Sequence, residues 1–276
     1  MKKPLINHHV HTTGSDGKLS PEDTIKLAIE KGLNFICFTD HYPCPDGFDK
    51  WFCGFHSEEY YANVMGLKQK YKDRIDISFG AEVNWFLGHE DWIKKEVKKR
   101  KYDYILGAAH HLGRPSHLSI NNSEKNWNET IKHFGSIEEL IKEYYTQVRL
   151  MAKSGLFDCI AHFDLVKVWN EDSKYFSEDE KWYRQEVIKT LETIKESGIC
   201  IEINTSGRRK KSRDEHPSFW ILEETGKMKI PLTIGSDSHN PSDIDYGLER
   251  AMELAKKADY SDILIFKERK PIQVKI

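Results

Sequence analysis

The first apolar run of the chain is Leu5-Ile6-Asn7-His8-His9-Val10-His11, a short stretch that ends in two spaced histidines. Residues i and i+2 of a strand point to the same side of a sheet, so His9 and His11 can bind one metal ion together. The run therefore predicts a buried strand whose carboxyl end carries metal ligands.

The same kind of run recurs along the chain. Each run is short, almost continuously apolar and rich in strand-forming residues, which is typical of strands that are buried on both faces. Helical patterns separate the runs, as in parallel sheets with right-handed crossovers. The sequence therefore predicts an α/β protein that folds as a single-domain barrel. The predicted strands cover residues 5–10, 34–39, 75–83, 102–109, 157–161, 199–204 and 232–235.

Local signals mark the ends of the predicted helices. Ser20 is a predicted N-cap with Pro21 at the first helical position, and Gly32 ends that helix. The stretches 42–56, 112–130 and 206–216 are predicted to be irregular, and each follows the carboxyl end of a strand, where barrel enzymes carry active-site loops. The other predicted helices cover residues 57–71, 136–154, 177–197, 217–225 and 246–257.

The composition limits the partners and the compartment. The chain has 276 residues and a net charge of −2, so it lacks the broad basic surface of a general nucleic-acid binder. Its five cysteines have no framework spacing, which favours a reducing compartment. No apolar run is long enough to span a membrane, and no signal-peptide core is present. We expect a cytoplasmic protein that binds no membrane and for which nucleic acid is a disfavoured partner.

Metal-ligand side chains cluster at the ends of the predicted strands. The chain has 13 histidines in 276 residues, so scattered placement would rarely put several of them there. Imidazole together with carboxylate suits Zn, Mn or Fe, and the absence of cysteine ligands argues against a closed structural zinc site. The set exceeds the coordination of one ion and implies two or three divalent ions. These candidates are His9, His11, His41, Glu82, His110, His162, Asp237 and His239.

A set of motifs resembles the polymerase-and-histidinol-phosphatase (PHP) superfamily over residues 5 to about 248. Two of the motifs, with His216-Pro217-Ser218 downstream, are most similar to the monofunctional histidinol-phosphate phosphatases: Ala161-His162-Phe163-Asp164 and Glu202-Ile203-Asn204-Thr205-Ser206-Gly207. The others are His9-x-His11 with Ser15-Asp16-Gly17, Thr39-Asp40-His41, Gly80-Ala81-Glu82, Gly107-x-x-His110 and Gly235-Ser236-Asp237-Ser238-His239.

The resemblance implies a distorted, TIM-like (β/α)7 barrel that holds a trinuclear metal centre. It adds Asp16, which lies in a turn and which strand periodicity alone would not select. Glu82 becomes a bridge between two ions. The implied ligand sets are His9, His11, Glu82 and Asp237 for the first ion, Glu82, His110 and His162 for the second, and Asp16, His41 and His239 for the third.

The activity that the resemblance implies is hydrolysis of L-histidinol phosphate to L-histidinol and phosphate by metal-bound hydroxide, a step of histidine biosynthesis. Clustered divalent ions suit this chemistry because they lower the pKa of a bound water and offset the phosphate charge. One alternative is a PHP phosphoesterase that acts on another small phosphomonoester, or on nucleotide or oligonucleotide ends. Another is a metal-bearing but inactive domain, which the intact ligand set disfavours.

Cations and one histidine near the strand ends are candidates for substrate contacts. Arg208 and Arg209 follow the sixth predicted strand, and guanidinium groups bind phosphate in bidentate fashion. Arg209 aligns best with the family's arginine, and Lys167 is a weaker candidate after the fifth strand. His111 is a candidate to protonate the leaving oxygen, and the bridging Glu82 completes the expected catalytic set; a loop role for His111 and a solvated loop for the arginines are the simpler alternatives.

Other side chains receive more limited predictions. Glu202 ends a strand and is expected to orient a histidine rather than to bind metal. Asn7 stands where the family more often has Asp. His117 is expected in a loop that can reach the rim of the barrel. Trp51, Phe52 and Phe55 either cover a pocket or pack on the barrel, and His56, His89, His133 and His216 are interpreted as ordinary surface or loop residues.

Overall fold

Parallel strands form the central sheet of the computed structural model, which describes residues 4–48, 57–113 and 118–276. This sheet has seven strands, and each of them pairs with the next of the seven along the chain. All the predicted strands are present, with ends that differ by up to two residues. They are β1 (Ile6–Val10), β2 (Phe35–Phe38), β3 (Asp76–Asn84), β4 (Tyr104–Ala108), β7 (Cys159–Ile160), β8 (Cys200–Asn204) and β9 (Leu232–Gly235).

Contacts between the first and last strands bring the sheet nearly to closure. A parallel bridge joins Val10 to Ser238, and the backbone N–H of His11 donates to the Ser238 carbonyl at 2.9 Å. The buried side-chain amide of Asn7 donates to Ser236 Oγ at 2.7 Å and to the Ile244 carbonyl at 2.8 Å. A carboxylate could not make these donations, so Asn7 suits this seam. The predicted TIM-like barrel of seven strands is confirmed.

Helices surround the barrel, and serine caps begin several of them. The Ser20 hydroxyl accepts from the Asp23 N–H at 3.2 Å, and the Ser57 hydroxyl accepts from the Tyr60 N–H at 3.0 Å. The described helices are α1 (Pro21–Glu30), α2 (Glu58–Tyr71), α3 (Glu90–Glu96), α4 (Glu124–Phe134), α5 (Ile137–Lys153), α6 (Lys181–Ser197), α7 (Phe219–Met228) and α8 (Leu248–Lys257).

The described part of 112–130, predicted to be irregular, contains regular structure. Strands β5 (His111–Leu112) and β6 (Leu118–Ser119) form a short hairpin that leads into α4. Only Trp127 and Thr130 of α4 are buried, so this helix packs on the barrel through few side chains. Helix α6 begins at Lys181 rather than at residue 177, because the Ser177 hydroxyl accepts from the Asp179 N–H and forms a turn instead.

A C-terminal hairpin covers the amino end of the barrel. Strands β10 (Asp262–Lys267) and β11 (Lys270–Lys275) were not predicted from the sequence. The buried Phe266 ring lies 5.1 Å from the ring of Tyr104, at the start of β4. The Ser78 hydroxyl, near the start of β3, donates to the Phe266 carbonyl at 3.0 Å. The hairpin therefore closes the end opposite to the strand ends that carry the predicted ligands.

The described residues include three free thiols and no candidate membrane span. Cys37, Cys159 and Cys200 are free and buried in the barrel strands, where a thiol packs as a small hydrophobe. None of the described helices is both long and apolar enough to cross a membrane.

We predict that Phe266→Ala destabilises the protein by about 3–5 kcal/mol, since it removes a buried ring and leaves a cavity at the end of the barrel. Urea unfolding measures this change. Ile272→Ala in the neighbouring strand is the matched control, because Ile272 is 44% exposed and its truncation should change the free energy of unfolding little. Equal effects of the two substitutions would show that the hairpin does not seal the core.

Candidate metal centre

The carboxyl ends of the strands bring together all the side chains that were predicted from the sequence to be metal ligands. Most of these side chains are buried. Asp237 and His239 are partly exposed, with side-chain exposures of 16% and 30%. Asp16 is 44% exposed, since it comes from the turn after β1. The potential ligand atoms fall into three overlapping groups: His9, His11 and Glu82; Glu82, His110 and His162; and His11, Asp16, His41 and His239.

Glu82 lies between these groups and has an oxygen facing each way. Its Oε1 is 3.0 Å from His162 Nε2 and 3.6 Å from His110 Nε2. Its Oε2 is 2.9 Å from His41 Nδ1 and 3.4 Å from His9 Nε2. This is the arrangement that a bridging carboxylate needs.

The group around His9 and His11 also includes Asp237. Asp237 Oδ1 lies 3.6 Å from His9 Nε2 and 3.4 Å from His11 Nε2. The two imidazole nitrogens are themselves 3.0 Å apart. The residues that the sequence resemblance grouped around a first ion are therefore neighbours in space.

The group at the mouth of the barrel contains the turn residue Asp16. Asp16 Oδ2 lies 3.3 Å from His239 Nε2 and 3.9 Å from His41 Nε2. His11 belongs to this group as well, although the sequence placed it only with the first ion. Gly17 permits the tight turn, because a Cβ there would lie 2.4 Å from the His11 carbonyl oxygen.

The donor atoms fit divalent metal ions. Within each group the imidazole nitrogens and carboxylate oxygens lie within 4.8 Å of one another. Nitrogen and oxygen ligands at about 2.0–2.2 Å from one zinc ion are separated by up to roughly 4.4 Å, so small shifts would bring each group around an ion. Imidazole and carboxylate without thiolate suit Zn, Mn or Fe. The arrangement supports divalent metal binding.

Buried polar side chains behind the candidate ligands hold their rings in place. Glu202 Oε1 lies 2.8 Å from His9 Nδ1, and its Oε2 accepts from the His162 N–H at 3.0 Å. Glu202 therefore orients a histidine, as expected. Asn84 Oδ1 is 2.5 Å from His110 Nδ1, a contact that the sequence did not suggest. Asn84 follows Glu82 by two residues on β3, and this same-face spacing is the signal that could have identified it.

Charges within the cluster shift the pKa values of its members. Burial opposes ionisation of Glu82, but His41, His9 and His110 hold its pKa well below the ordinary value. Burial opposes protonation of His239, yet hydrogen bonding to Asp16 and the charge of Asp237 raise its pKa to about 9. A metal ligand must be a neutral imidazole, so an ion entering this group displaces a proton below that pH. Metal affinity is therefore expected to fall as the pH falls.

Arg209 places a guanidinium group beside the candidate ligands. The cluster opens into a pocket of about 500 Å³ that Arg209 also lines. Its Nη2 donates to the Ser236 carbonyl at 2.8 Å and to the Asp237 carbonyl at 3.1 Å. Its Nη1 is buried and has no protein partner. The guanidinium is thus fixed beside the candidate ligands with donors left over for an oxyanion.

The other two cations predicted to bind substrate do not line this pocket. Arg208 Nη1 lies 3.6 Å from Glu215 Oε1. Lys167 is buried, and its Nζ lies 3.0 Å from both Asp164 Oδ2 and Asp214 Oδ2. Its charge is therefore offset inside the protein, and neither side chain lines the pocket.

His111 also lies outside the pocket lining. It is fully buried, and its ring packs 5.7 Å from the ring of Phe86. Neighbouring residues in an extended chain point in opposite directions, so His110 faces the cluster and His111 faces away. The expected proton donor is therefore not placed to reach a substrate in this pocket.

His216 was interpreted as an ordinary loop residue, and the structure corrects this. Its ring is buried and lines the pocket. Its Nδ1 lies 2.6 Å from Asp164 Oδ1. The motif containing Asp164 was recognised in the sequence, but nothing local linked it to a histidine 52 residues away. The predictions for Trp51, Phe52, Phe55, His56 and His117 lie outside the described residues.

Known proteins are similar to this chain in sequence and in fold. Residues 7–206 match the family model described as PHP domain. The chain is 29% identical over 264 residues to the histidinol-phosphatase of Bacillus subtilis, covering 89% of this chain and 97% of that protein. It is 28% identical over 257 residues to the "Probable histidinol-phosphatase" of Deinococcus radiodurans, covering 90% and 92%. The fold matches the crystal structure of histidinol phosphate phosphatase from Lactococcus lactis complexed with zinc, L-histidinol and phosphate, with a TM-score of 0.80 at 21% identity over 98% of this chain and 100% of that one.

We predict that Glu202→Gln weakens metal binding by about 10–100-fold, because an uncharged amide makes His9 a less basic ligand. Chelator-competition titration of the purified protein measures the affinity. Glu215→Gln is the matched control, since Glu215 is an equally buried glutamate that pairs with Arg250 Nε at 2.7 Å, away from the cluster. Unchanged affinity in the Glu202 variant would contradict its supporting role.

Proposed function

The chain belongs to the PHP domain family, and on that premise we propose that it hydrolyses L-histidinol phosphate to L-histidinol and phosphate. The observation that carries the proposal is the position of Glu82, which two of the candidate ligand groups share. The same pocket contains the Arg209 guanidinium, whose Nη1 has no protein partner. The names of the Bacillus subtilis and Deinococcus radiodurans relatives, which match nearly the whole chain, support the same reaction.

We propose that the three groups hold two or three divalent ions, with zinc, manganese or iron as candidates. The ligands would be His9, His11, Asp16, His41, Glu82, His110, His162, Asp237 and His239. The zinc in the Lactococcus lactis structure supports zinc as one of them. When bound, such ions would lower the pKa of a coordinated water and offset the phosphate charge.

The chain's own residues would divide the work of binding the substrate. Arg209 would bind phosphate oxygens through Nη1, while its bonds to the Ser236 and Asp237 carbonyls keep it in place. Leu165 and Val168 offer an apolar surface in the same pocket, and Asn121 offers an amide that can both donate and accept. These groups suit the imidazole and amine of histidinol. A biosynthetic role of this kind would place the protein in the cytoplasm.

A second cavity favours one alternative, a phosphomonoester with another negative charge. A cavity of about 450 Å³ adjoins the pocket and shares Arg209 and Lys210 with it. Lys211 and Arg213 also line it, but Glu171 partly offsets them, lying 3.7 Å from Lys211 Nζ and 2.7 Å from Arg213 Nη2. A nucleotide is the substrate class that this basic wall would suit.

We predict that the metal-loaded protein hydrolyses L-histidinol phosphate with a kcat/KM at least about tenfold above that for nucleoside monophosphates or 3′-tailed DNA, a difference of about 1.4 kcal/mol in transition-state binding. Phosphate release measures the rates. Activity should disappear after treatment with a chelator and return with Zn or Mn. A preference for nucleotides would favour the alternative substrate, and full activity without metal would rule out the proposed chemistry.

We predict that Arg209→Ala lowers kcat/KM for L-histidinol phosphate by about 100-fold, the loss typical of one charge-stabilising donor. Inhibition by inorganic phosphate should weaken as well, because the same guanidinium binds the product. Arg208→Ala is the matched control: it removes a neighbouring arginine that does not line the pocket, and it should change kcat/KM by no more than about twofold. Similar losses in both variants would contradict the assignment to Arg209.

A further inference from the structure

Asp164 and His216 form a buried acid–imidazole pair in the wall of the pocket. His216 Nδ1 lies 2.6 Å from Asp164 Oδ1, and both side chains are almost fully buried. A carboxylate at this distance accepts the Nδ1 proton and so fixes both the tautomer and the orientation of the ring. Pairs of this kind position an imidazole for proton transfer through its other nitrogen.

Asp164 is held as a charged acceptor. Its Oδ2 lies 3.0 Å from Lys167 Nζ and accepts from the Ser218 N–H at 2.9 Å. These contacts with an ammonium group and an N–H donor stabilise the ionised carboxylate. Lys167, which was first interpreted as a substrate-binding cation, thus fixes the acid behind His216.

The backbone fixes His216 as firmly as its side chain does. Its N–H donates to the Asn204 carbonyl at 2.9 Å, and its carbonyl accepts from the Asn204 N–H at 2.6 Å, at the end of β8. Gly207 leaves room for the ring, since a Cβ there would lie 2.9 Å from His216 Nε2. Nε2 is buried and has no protein partner. Buried ring nitrogens are normally hydrogen-bonded, so Nε2 lacks the partner that a ligand in the pocket would supply.

His216 is the one histidine lining the pocket, among the described residues, that lies outside the three ligand groups. Imidazole is the side chain that exchanges protons most readily near neutral pH. Asp243 also lines the pocket, but the charge of Arg209 lowers the pKa of its partly buried carboxyl group and keeps it ionised. Arg209 and Lys210 are cations suited to phosphate oxygens rather than to proton donation.

We propose that His216 is the catalytic acid that protonates the leaving oxygen of the substrate, and that Asp164 is its positioning residue. The inference rests on the proposed function. As the bond between phosphorus and the leaving oxygen breaks, that oxygen keeps the electron pair and takes the proton from Nε2. The attacking water adds its oxygen to phosphorus and releases a proton, and a proton from solvent restores the imidazolium.

The rate gain from an acid catalyst depends on the leaving group, and this dependence provides the test. An alcohol such as histidinol is a poor leaving group without a proton, whereas p-nitrophenol departs readily as an anion. His216→Gln should therefore lower kcat/KM for L-histidinol phosphate by about 10²–10⁴-fold, and for p-nitrophenyl phosphate by less than about tenfold. Asp164→Asn should show a contrast of the same direction. His133→Gln, at an exposed histidine, should leave both substrates unaffected.

Metal content and thermal unfolding of each variant are measured alongside the rates. Equal losses with both substrates in His216→Gln would overturn the acid role, as would a loss explained by missing metal. If Asp164→Asn loses equal activity with both substrates while His216→Gln shows the expected contrast, only the positioning role of Asp164 is overturned. A wild-type protein that hydrolyses neither phosphomonoester would overturn the proposed function, and this inference with it. If His216→Gln does not fold, the contrast in Asp164→Asn decides.

Discussion

The carboxylate of Glu82 is the constraint on which the site depends. It is buried at the centre of the barrel mouth, where an uncompensated negative charge would be strongly destabilising. Its two oxygens face different histidines, at 3.0 Å to His162 and 2.9 Å to His41. Glu202 and Asp237 add further negative charge within a few ångströms of His9. Such a cluster needs positive charge, either as protons on the imidazoles or as metal ions that replace them.

The barrel explains how distant segments meet around this carboxylate. Strands that run in parallel deliver their carboxyl ends to one rim, so β1, β3 and the segment that follows β9 each place candidate ligands there. Closure is essential, because His9 lies in the first strand of the sheet and Asp237 follows the last strand by two residues. The Asn7 amide, bonded to Ser236 and Ile244, ties these strands together just below the ligands. A shift in register between these two strands would move the candidate ligands apart and would also disrupt the packing of the core.

Local signals explain what could be predicted from the sequence. Each strand and most candidate ligands can be recognised from neighbouring residues alone, because the signal is an apolar run followed by a histidine or an acid. Side-chain direction and long-range pairing carry no such pattern. Sequence proximity to His110 suggested a role for His111, but strand alternation turns its ring away. The sequence around Lys167 indicates a free cation, because its partners Asp164 and Asp214 are recognised only in the folded protein. Helix α4 was not predicted, although Trp127, Ile131 and Phe134 stand at helical spacing within it.

One arrangement recurs around the site with two different consequences. A buried acid or amide holds Nδ1 of His9, His110 and His216, through Glu202, Asn84 and Asp164 respectively. For His9 and His110 the Nε2 atom then faces Glu82, at 3.4 Å and 3.6 Å. The Nε2 of His216 belongs to none of the ligand groups. The same polar support therefore prepares an imidazole either to bind a metal ion or to carry a proton, and the direction of Nε2 decides which.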